Sequence, residues 1–275
     1  MQATYLFSID LEDIRYQVHG GEKYPQRIEP MTEKYLHFLR ENGMKTTFFV
    51  VGEVAKRHPA LIRQIAAQGH EIGTHTNHHI PLDRHDQKSF RDDLKESVQR
   101  LLDAGAREVV GFRAPIFSMI QTTQWAYEIL AELGFVYSSS VLPAKNPLYG
   151  WPEFGQGIKK MSGVWELPMS LIPFKLASLP FAGGVYFRVL PDFLIRRLMR
   201  HYHSSQLPIL GYFHPYDIDD KQDRFMHPGI NNSHFYNWLM YWRRKSVLPR
   251  VQKMLDHNRS VIIPYVEYVR TLNEQ

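Results

Sequence analysis

The feature that most constrains the fold of this 275-residue chain is a regular alternation of short apolar stretches with amphipathic ones. The apolar stretches are rich in β-branched and aromatic residues, which predicts buried strands, whereas apolar residues every three or four positions predict helices. The predicted strands are TYLFSI, KTTFFVV, HEIGT, VVGF, FVYSSS, VWELPMS, PILGYF and SVIIPY, and the helices between them include MTEKYLHFLRENG, HPALIRQIAAQG, FRDDLKESVQRLLDAG, TTQWAYEILAELG and DFLIRRLMRHYHS. Such alternation favours parallel pairing through helical crossovers. We therefore expect residues 1–275 to form a single α/β domain, a barrel of the TIM type.

Composition limits the chemistry and the partners. The chain has no cysteine, which excludes disulfides and thiolate nucleophiles and leaves His, Asp and Glu as metal ligands. The net charge is +5 with the basic residues spread along the chain, so no nucleic-acid partner is expected. The densest basic run, YWRRK at 241–245, is interpreted as the solvated face of a long helix. No signal peptide or membrane span is visible, so we expect a cytoplasmic protein; membrane association has no support, and the sequence leaves the oligomeric state open.

Charged and imidazole side chains follow several of the predicted strands. Asp10, Glu12 and Asp13 come after the first strand, His75 and His79 after HEIGT, Arg113 after VVGF, and His214 after PILGYF. In a parallel barrel the carboxyl ends of the strands meet at one rim, which is where catalytic residues lie. Two imidazoles with one carboxylate form a three-ligand site for a divalent ion with an open position for water. A further carboxylate as base and a further histidine as acid would equip this rim for amide hydrolysis.

Four segments carry a family resemblance over essentially the whole chain. They are FSIDLED, TTFFVVGEVAKRHPALIRQIAAQGHEIGTHTNHH, GFRAPIFS and PILGYFHPYDID, and in this order they resemble the polysaccharide deacetylase family, the NodB-homology group called carbohydrate esterase family four. The segments WELPMS and FAGGVYFRVLP resemble the subgroup linked to exopolysaccharide and surface-glycan loci.

The resemblance implies a distorted (β/α) barrel of about seven parallel strands that removes acetyl groups from N-acetylated sugars. It also implies a divalent metal cofactor, most often zinc, and a carbohydrate substrate. The roles carried over by motif are Asp10 as general base, His75 and His79 as ligands, Arg113 as the residue that orients Asp10, His214 as general acid, and a backbone N–H just after Pro115 for the oxyanion. His78 matches no family role.

Two departures from the family pattern leave alternatives open. The first motif reads DLED where adjacent aspartates are usual, so the carboxylate ligand is Glu12 or Asp13. We favour Glu12, because residues two apart in an extended segment share a face and Glu12 should point with Asp10. The fourth motif reads YSSS at 137–140 in place of an aspartate, which leaves Glu166 or Asp217 to orient the catalytic histidine.

Substrate contacts are predicted more broadly. Trp151, Tyr149, Phe117 and Tyr186 are candidates to cover the apolar faces of a sugar ring, although each could equally anchor a loop or fill the core. Two long Pro- and Gly-containing stretches, 143–163 and 215–232, are expected to be lids or binding loops.

The function predicted first is a metal-dependent N-deacetylase acting on a glycan or a lipid- or nucleotide-linked precursor. A second reading is a metal-independent cyclic amide hydrolase of the allantoinase type, which chelators would not inhibit. A third is a non-catalytic carbohydrate-binding protein on the same scaffold, which would keep its ligand affinity in an Asp10→Asn variant. The chain shows no G-x-S-x-G elbow, no P-loop and no complete G-x-G-x-x-G.

Overall fold

The strands assemble into one sheet in the computed structural model, which describes residues 3–146, 148–173, 179–258 and 260–274. In chain order these strands are β1 (Ala3–Leu11), β2 (Thr47–Val50), β3 (Glu71–Thr74), β4 (Gly111–Phe112), β5 (Tyr137–Ser138), β6 (Lys159–Met161), β7 (Val164–Glu166), β8 (Ile209–Phe213) and β9 (Ser260–Ile262). The eight predicted strands correspond to β1 to β5 and β7 to β9, so the alternation identified each of them.

Strand β1 is the centre of the pairing. It pairs in parallel with β2 along residues 8–11, with β8 along residues 5–9 and with β9 along residues 3–5. Every residue of β1 except Thr4 is buried, as expected for a strand covered on both faces. The carboxyl end of β1 is therefore fixed between its neighbours.

The sheet runs in the order β6-β7-β5-β4-β3-β2-β1-β8, with β9 beside β1. All pairs are parallel except β6 with β7, a short hairpin that the sequence analysis did not predict. No strand pairing joins β7 to β8 within the described residues. Ser170 Oγ instead accepts a hydrogen bond from the Leu210 N–H of β8 at 2.9 Å. The predicted distorted α/β barrel is thus confirmed, with eight strands in parallel pairs where about seven were expected.

Helices cover the sheet and place their apolar faces against it. In the described residues they are α1 (Ile28–Glu41), α2 (Gly52–Arg57), α3 (Pro59–Ala67), α4 (Gln87–Asp103), α5 (Ala126–Glu132), α6 (Gly184–Val189), α7 (Asp192–Ser204), α8 (His234–Tyr241), α9 (Val247–Asn258) and α10 (Tyr265–Asn273). Helix α1 shows the pattern: Met31, Tyr35 and Leu39 repeat at helical spacing and are buried in the main core. Across the described ranges, none of the helices has the length and apolar content required to span a bilayer.

The predicted long helix through YWRRK is wrong. Helix α8 ends at Tyr241, and Arg243 has a left-handed φ of 56° that interrupts the helix before α9. Arg244 is buried, and it donates hydrogen bonds to the backbone carbonyls of Met240 and Asp219. The basic run therefore includes a buried arginine whose guanidinium joins the carboxyl end of α8 to the chain after β8, and it is not a uniformly solvated face.

The two long stretches contain short ordered elements. Residues 143–163 include β6 and a turn of 3₁₀ helix at Pro152–Phe154, and residues 215–232 begin with a 3₁₀ turn at Pro215–Ile218.

The segment GGVYFR, residues 183–188, contains the start of helix α6. A Cβ at Gly183 would lie 2.2 Å from the Tyr212 carbonyl oxygen, so this glycine permits close packing of α6 against β8.

Candidate active site

Four polar residues each lie one position beyond the carboxyl end of a strand. Glu12 follows β1, His75 follows β3, Arg113 follows β4 and His214 follows β8. Asp10 is the penultimate residue of β1, opposite Phe49 of β2. Because the strands are parallel, these side chains gather at one rim of the barrel, as the sequence predicted.

Glu12, His75 and His79 form a cluster with metal-binding geometry. One potential ligand atom from each residue lies within 4.8 Å of the other two. The Oε2 atom of Glu12 is 2.8 Å from His79 Nε2, and the two imidazole rings are 4.8 Å apart at their centres. His75 Nδ1 donates to the Arg113 carbonyl oxygen at 2.8 Å, which directs the lone pair of Nε2 into the cluster. The donor set, one carboxylate oxygen with imidazole nitrogens, fits a divalent ion.

The loop that carries the two histidines is held by backbone contacts. The Asn77 N–H donates to Asp93 of α4 at 2.7 Å, and the Gly52 N–H of α2 donates to the Thr76 carbonyl oxygen at 3.0 Å. Thr76 and His79 have φ values of 61° and 56°, a conformation that is uncommon for residues other than glycine. These contacts turn the chain sharply after β3 so that His79 comes back beside His75.

Burial and neighbouring charges shift the pKa values of this cluster. Burial opposes ionisation of Glu12, but the surrounding histidines, His79 first, hold the pKa of its carboxyl well below the usual range. Burial lowers the pKa of His75 to about 4, and the charge of Asp10 offsets only part of this effect. At neutral pH the cluster thus offers an ionised carboxylate and a neutral imidazole, the forms that bind metal ions.

Asp13 and His78 lie outside the cluster. The Asp13 carboxylate caps the following 3₁₀ turn and pairs with Arg15, whose Nη2 atom is 2.6 Å away. His78 is exposed, and its nearest polar contact is the Asn77 amide at 3.0 Å. The alternative in which Asp13 replaces Glu12 therefore finds no support in the geometry.

Arg113 holds Asp10 with a fully buried guanidinium. Its Nη1 atom donates to Asp10 Oδ1 at 2.7 Å and to Ser8 Oγ at 2.6 Å. Its Nε atom donates to the Ser139 carbonyl oxygen, Nη2 donates to Ser139 Oγ and to the Tyr265 hydroxyl, and the ring of Phe49 lies 4.1 Å below. The middle serine of the unusual YSSS motif thus fixes the arginine that positions Asp10.

Asp217, rather than Glu166, contacts the histidine. His214 Nδ1 donates to Asp217 Oδ2 at 2.9 Å, and the His214 backbone N–H donates to the same oxygen. The other carboxylate oxygen of Asp217 is 3.1 Å from Arg188, which is fully buried. This arrangement leaves His214 Nε2 facing the site, 3.6 Å from Glu12.

The charges around His214 outweigh its desolvation. Burial favours the neutral ring, but the hydrogen bond to Asp217 and the charge of Glu12 raise the pKa of His214 to about 9. Burial also opposes ionisation of Asp217, yet Arg188 and His214 lower its pKa to about 2. The His214 imidazole is therefore protonated near neutral pH and can donate a proton.

Glu166 has a different position. Its Oε1 atom accepts hydrogen bonds from the Ser140 and Val141 N–H groups, and its Oε2 atom accepts one from the Tyr127 hydroxyl. Glu166 thus anchors the chain after β5, and none of these hydrogen bonds involves His214.

The turn after Pro115 is also distinctive, since Ile116 and Phe117 both have φ values of 55°.

The four candidates for sugar contact separate into two groups. Trp151 is only 8% exposed and packs on Phe154 in the core, so its ring anchors a loop and does not present a face to a ligand. The Tyr149 hydroxyl donates to Asp83 at 2.8 Å. Phe117 packs edge-on against Tyr212 of β8 at 4.8 Å, and Tyr186 lines a cavity that also contains His214. Phe117 and Tyr186 are therefore the two candidates placed beside the site.

The sequence analysis missed several supporting residues. The Gln17 amide donates to Glu12 and lies 3.2 Å from His79 Nδ1, and the rings of Tyr212 and Tyr216 contact His214. Tyr212 could have been found, because it lies in β8 two residues before His214 and side chains alternate along a strand. Gln17 carried no such signal, because its position depends on the 3₁₀ turn after β1.

The fold and the site together define a class: an α/β barrel whose rim carries a Glu-His-His group beside an Asp–Arg pair and a His–Asp pair, typical of metal-dependent hydrolases. Residues 22–137 match the family model described as polysaccharide deacetylase, and residues 139–264 match a domain of unknown function, DUF3473. Residues 22–137 therefore form part of a polysaccharide deacetylase domain, which confirms the resemblance seen in the sequence.

Three known proteins illustrate the similarity. The chain is 32% identical over 99 residues to the peptidoglycan-N-acetylglucosamine deacetylase of Bacillus cereus, covering 35% of this chain and 36% of that protein. It is 36% identical over 73 residues to the chitooligosaccharide deacetylase of Rhizobium leguminosarum bv. trifolii, covering 26% and 34%. These matches span about a third of each relative. A crystal structure from Mycobacterium smegmatis, assigned as a polysaccharide deacetylase, superimposes with a TM-score of 0.64 over 100% of this chain and 91% of that chain at 19% identity, a likeness of fold.

Proposed function

We propose that this protein is a metal-dependent hydrolase that removes N-acetyl groups from an N-acetylated sugar in a glycan or glycan precursor. The observation that carries the proposal is the joint presence, at one rim, of the Glu12–His75–His79 cluster, the Arg113–Asp10 pair and the Asp217–His214 pair. The names of the relatives support a carbohydrate amide as the substrate, since one is a peptidoglycan-N-acetylglucosamine deacetylase and the other a chitooligosaccharide deacetylase.

In this proposal Glu12, His75 and His79 hold a divalent ion, with zinc the best match to imidazole and carboxylate ligands. When bound, the ion would supply Lewis-acid polarisation and a more acidic water. The Gln17 amide orients Glu12, and the Arg113 carbonyl oxygen fixes the tautomer of His75. These contacts fix the orientation of the Glu12 and His75 side chains.

Asp10 and His214 divide the proton transfers. Asp10 accepts the proton of the attacking water; Arg113 binds Oδ1, which leaves Oδ2 for this role. His214 donates a proton from Nε2 to the leaving amine, and its Nδ1–H bond to Asp217 keeps the ring oriented for that donation. The Ile116 N–H, in the strained turn after Pro115, is the donor proposed for the oxyanion.

The metal site is tested first by the metal content of the purified protein. After zinc reconstitution and exhaustive dialysis, we expect mass spectrometry to find about one ion per chain in the parent and in His78→Ala, and essentially none in His75→Ala. His78→Ala is the matched control because it removes an exposed imidazole three residues away. Equal, negligible metal in all three proteins would refute the metallohydrolase proposal and favour the metal-independent cyclic amide hydrolase.

The reaction is tested by acetate release from N-acetylglucosamine oligomers. We expect turnover in the metal-loaded parent and a loss of about 10³-fold or more in Asp10→Asn and in His214→Ala, because each removes one proton carrier. Both variants should retain the parent's metal content, since neither residue belongs to the ligand cluster. A parent that binds these oligomers without releasing acetate, with unchanged affinity in Asp10→Asn, would instead support a carbohydrate-binding protein.

A further inference from the structure

A cavity of about 360 Å³ opens beside His214 and Asp217. It lies between α6, α8 and the carboxyl end of β8, and Tyr212 and Tyr216 form its wall towards the proposed acid. This cavity has room for much more than the acetyl group that the proposed reaction removes. Because the cavity shares His214 with the site, a group that fills it would be part of the substrate.

The lining of this cavity is suited to hydrocarbon. Besides its tyrosines it is formed by aliphatic side chains from three separate segments, which are Val185, Val189, Ile230, Leu239 and Met240. Subsites for sugar rings need several hydrogen-bonding groups, because burying unpaired hydroxyls costs free energy. Apart from His214 and Asp217, which are bonded to each other, the side chains of this cavity offer only tyrosine hydroxyls.

Helix α8 forms the outer wall in an unusual way. Tyr236, Leu239 and Met240 line the cavity at helical spacing, yet the helix contains no fully buried residue. On the helix surface Phe235 is 64% exposed and Trp238 is 48% exposed, with their rings stacked at 6.3 Å. A largely apolar helix with no fully buried residue is typical of an interaction surface.

We propose that this cavity holds a hydrocarbon chain attached to the sugar, of the isoprenoid or fatty type, so that the enzyme acts on a lipid-bearing glycan. The inference rests on the proposed N-deacetylase function and adds the substrate class. The tyrosines nearest His214 mark the junction between sugar and chain, and α8 closes over the apolar part.

The test compares acetate release from three forms of one N-acetylglucosamine oligomer: unsubstituted, with an octyl aglycone, and with a geranyl aglycone. We expect kcat/KM for at least one substituted form to exceed that of the unsubstituted form by about tenfold or more, because several methylene groups leave water. Preference for the octyl or the geranyl form separates the fatty from the isoprenoid source. Equal kcat/KM for all three forms would overturn the inference and leave the deacetylase proposal intact.

The variant Leu239→Gln places a polar group in the cavity wall at a partly exposed position. It should abolish the preference for the substituted form over the unsubstituted oligomer. Leu102→Gln, on the surface of α4 and 39% exposed, is the matched control and should keep the preference.

Calorimetric titration with octyl glucoside, below its micelle concentration, measures binding without catalysis. Octyl glucoside should bind the parent with a negative heat-capacity change, and it should bind Leu239→Gln at least about fivefold more weakly. Equal affinity in the two proteins would also overturn the inference.

Discussion

Arg113 shows how much of the site depends on one side chain. Its five hydrogen bonds join β1, the chain after β5 and the start of α10 around Asp10. A lysine keeps the charge but has a single nitrogen, so it cannot reproduce the planar fork that contacts Asp10, Ser8 and Ser139 together. The position of Asp10 is therefore set by geometry as well as by charge.

We predict that Arg113→Lys lowers kcat/KM for deacetylation by about 10²-fold, because a misplaced base is inefficient. The metal content should stay at the parent level, since the His75 contact is to the backbone carbonyl of residue 113. Steady-state acetate release with the metal-loaded proteins provides the measurement, and Arg107→Lys, an exposed site on the same connection, is the control. Parental activity in Arg113→Lys would show that Asp10 does not need the fork.

For single residues, the sequence was sufficient to predict those site positions that depend on spacing between neighbouring residues. Glu12 was preferred over Asp13 because side chains alternate in an extended segment, and the structure places Glu12 in the cluster. The choice between Glu166 and Asp217 stayed open, although the three-residue spacing from His214 to Asp217 is a local capping signal that could have decided it. The partners of Arg113 had no such signal, because Tyr265 is 152 residues away in the sequence.

Among the secondary structure elements, the well-predicted ones were buried strands and amphipathic helices, whose apolar periodicity follows from burial. Helices α9 and α10 were missed although their apolar residues repeat at helical spacing, whereas β6 and α6 have weak periodicity. Strand β6 is largely exposed and lysine-rich, and α6 begins with glycine, which disfavours a helix in its own right. Helix α6 forms there because tertiary contact with β8 outweighs that propensity.

This contact between α6 and β8 gives a prediction. Gly183 has a φ of −162°, which any residue adopts, so an alanine there is opposed by the backbone of Tyr212, whose carbonyl oxygen and nitrogen would lie 2.2 and 2.5 Å from the new Cβ. We expect Gly183→Ala to lower the free energy of unfolding by about 1–3 kcal/mol through overpacking. Gly157→Ala is the matched control, since its Cβ would meet no atom within 4 Å. Denaturant unfolding of both variants measures the difference, and equal midpoints would show that α6 shifts without cost.

For the molecule as a whole, parallel alternation predicted the barrel but not how it is completed. Between β7 and β8 the sheet is joined by the Ser170 side chain, and a hydroxyl–backbone contact of this kind leaves no pattern in a sequence. The carboxyl ends of the strands still converge, because that depends only on parallel pairing around β1. The active-site rim was therefore predictable even though the closure of the barrel was not.

Acid stability is also a property of the whole molecule, because two buried histidines far apart in the sequence, His70 and His227, contribute to it. The Thr46 N–H donates to His70 Nδ1 at 3.2 Å, and Arg244 Nη2 donates to His227 Nε2 at 3.1 Å. Both imidazoles accept hydrogen bonds and are therefore neutral in the folded protein. Burial lowers the pKa of His70 to about 4 and that of His227 to about 3, with nearby Lys45 and Arg244 adding to the effect.

The sign of the pH dependence follows from these shifts. Between the folded pKa near 4 and the unfolded value near 6.5, the unfolded chain binds more protons at His70, so the free energy of unfolding falls as the pH is lowered through this range. We predict that His70→Gln removes about 2 kcal/mol of the decrease in unfolding free energy between pH 6.5 and pH 4. Urea titrations at half-unit pH steps compare it with the parent and with His37→Gln, which changes an exposed histidine on α1. If His70→Gln and the parent lost stability in parallel over this range, the buried imidazole of His70 would have to be protonated in the folded state, contrary to the hydrogen bond it accepts from Thr46.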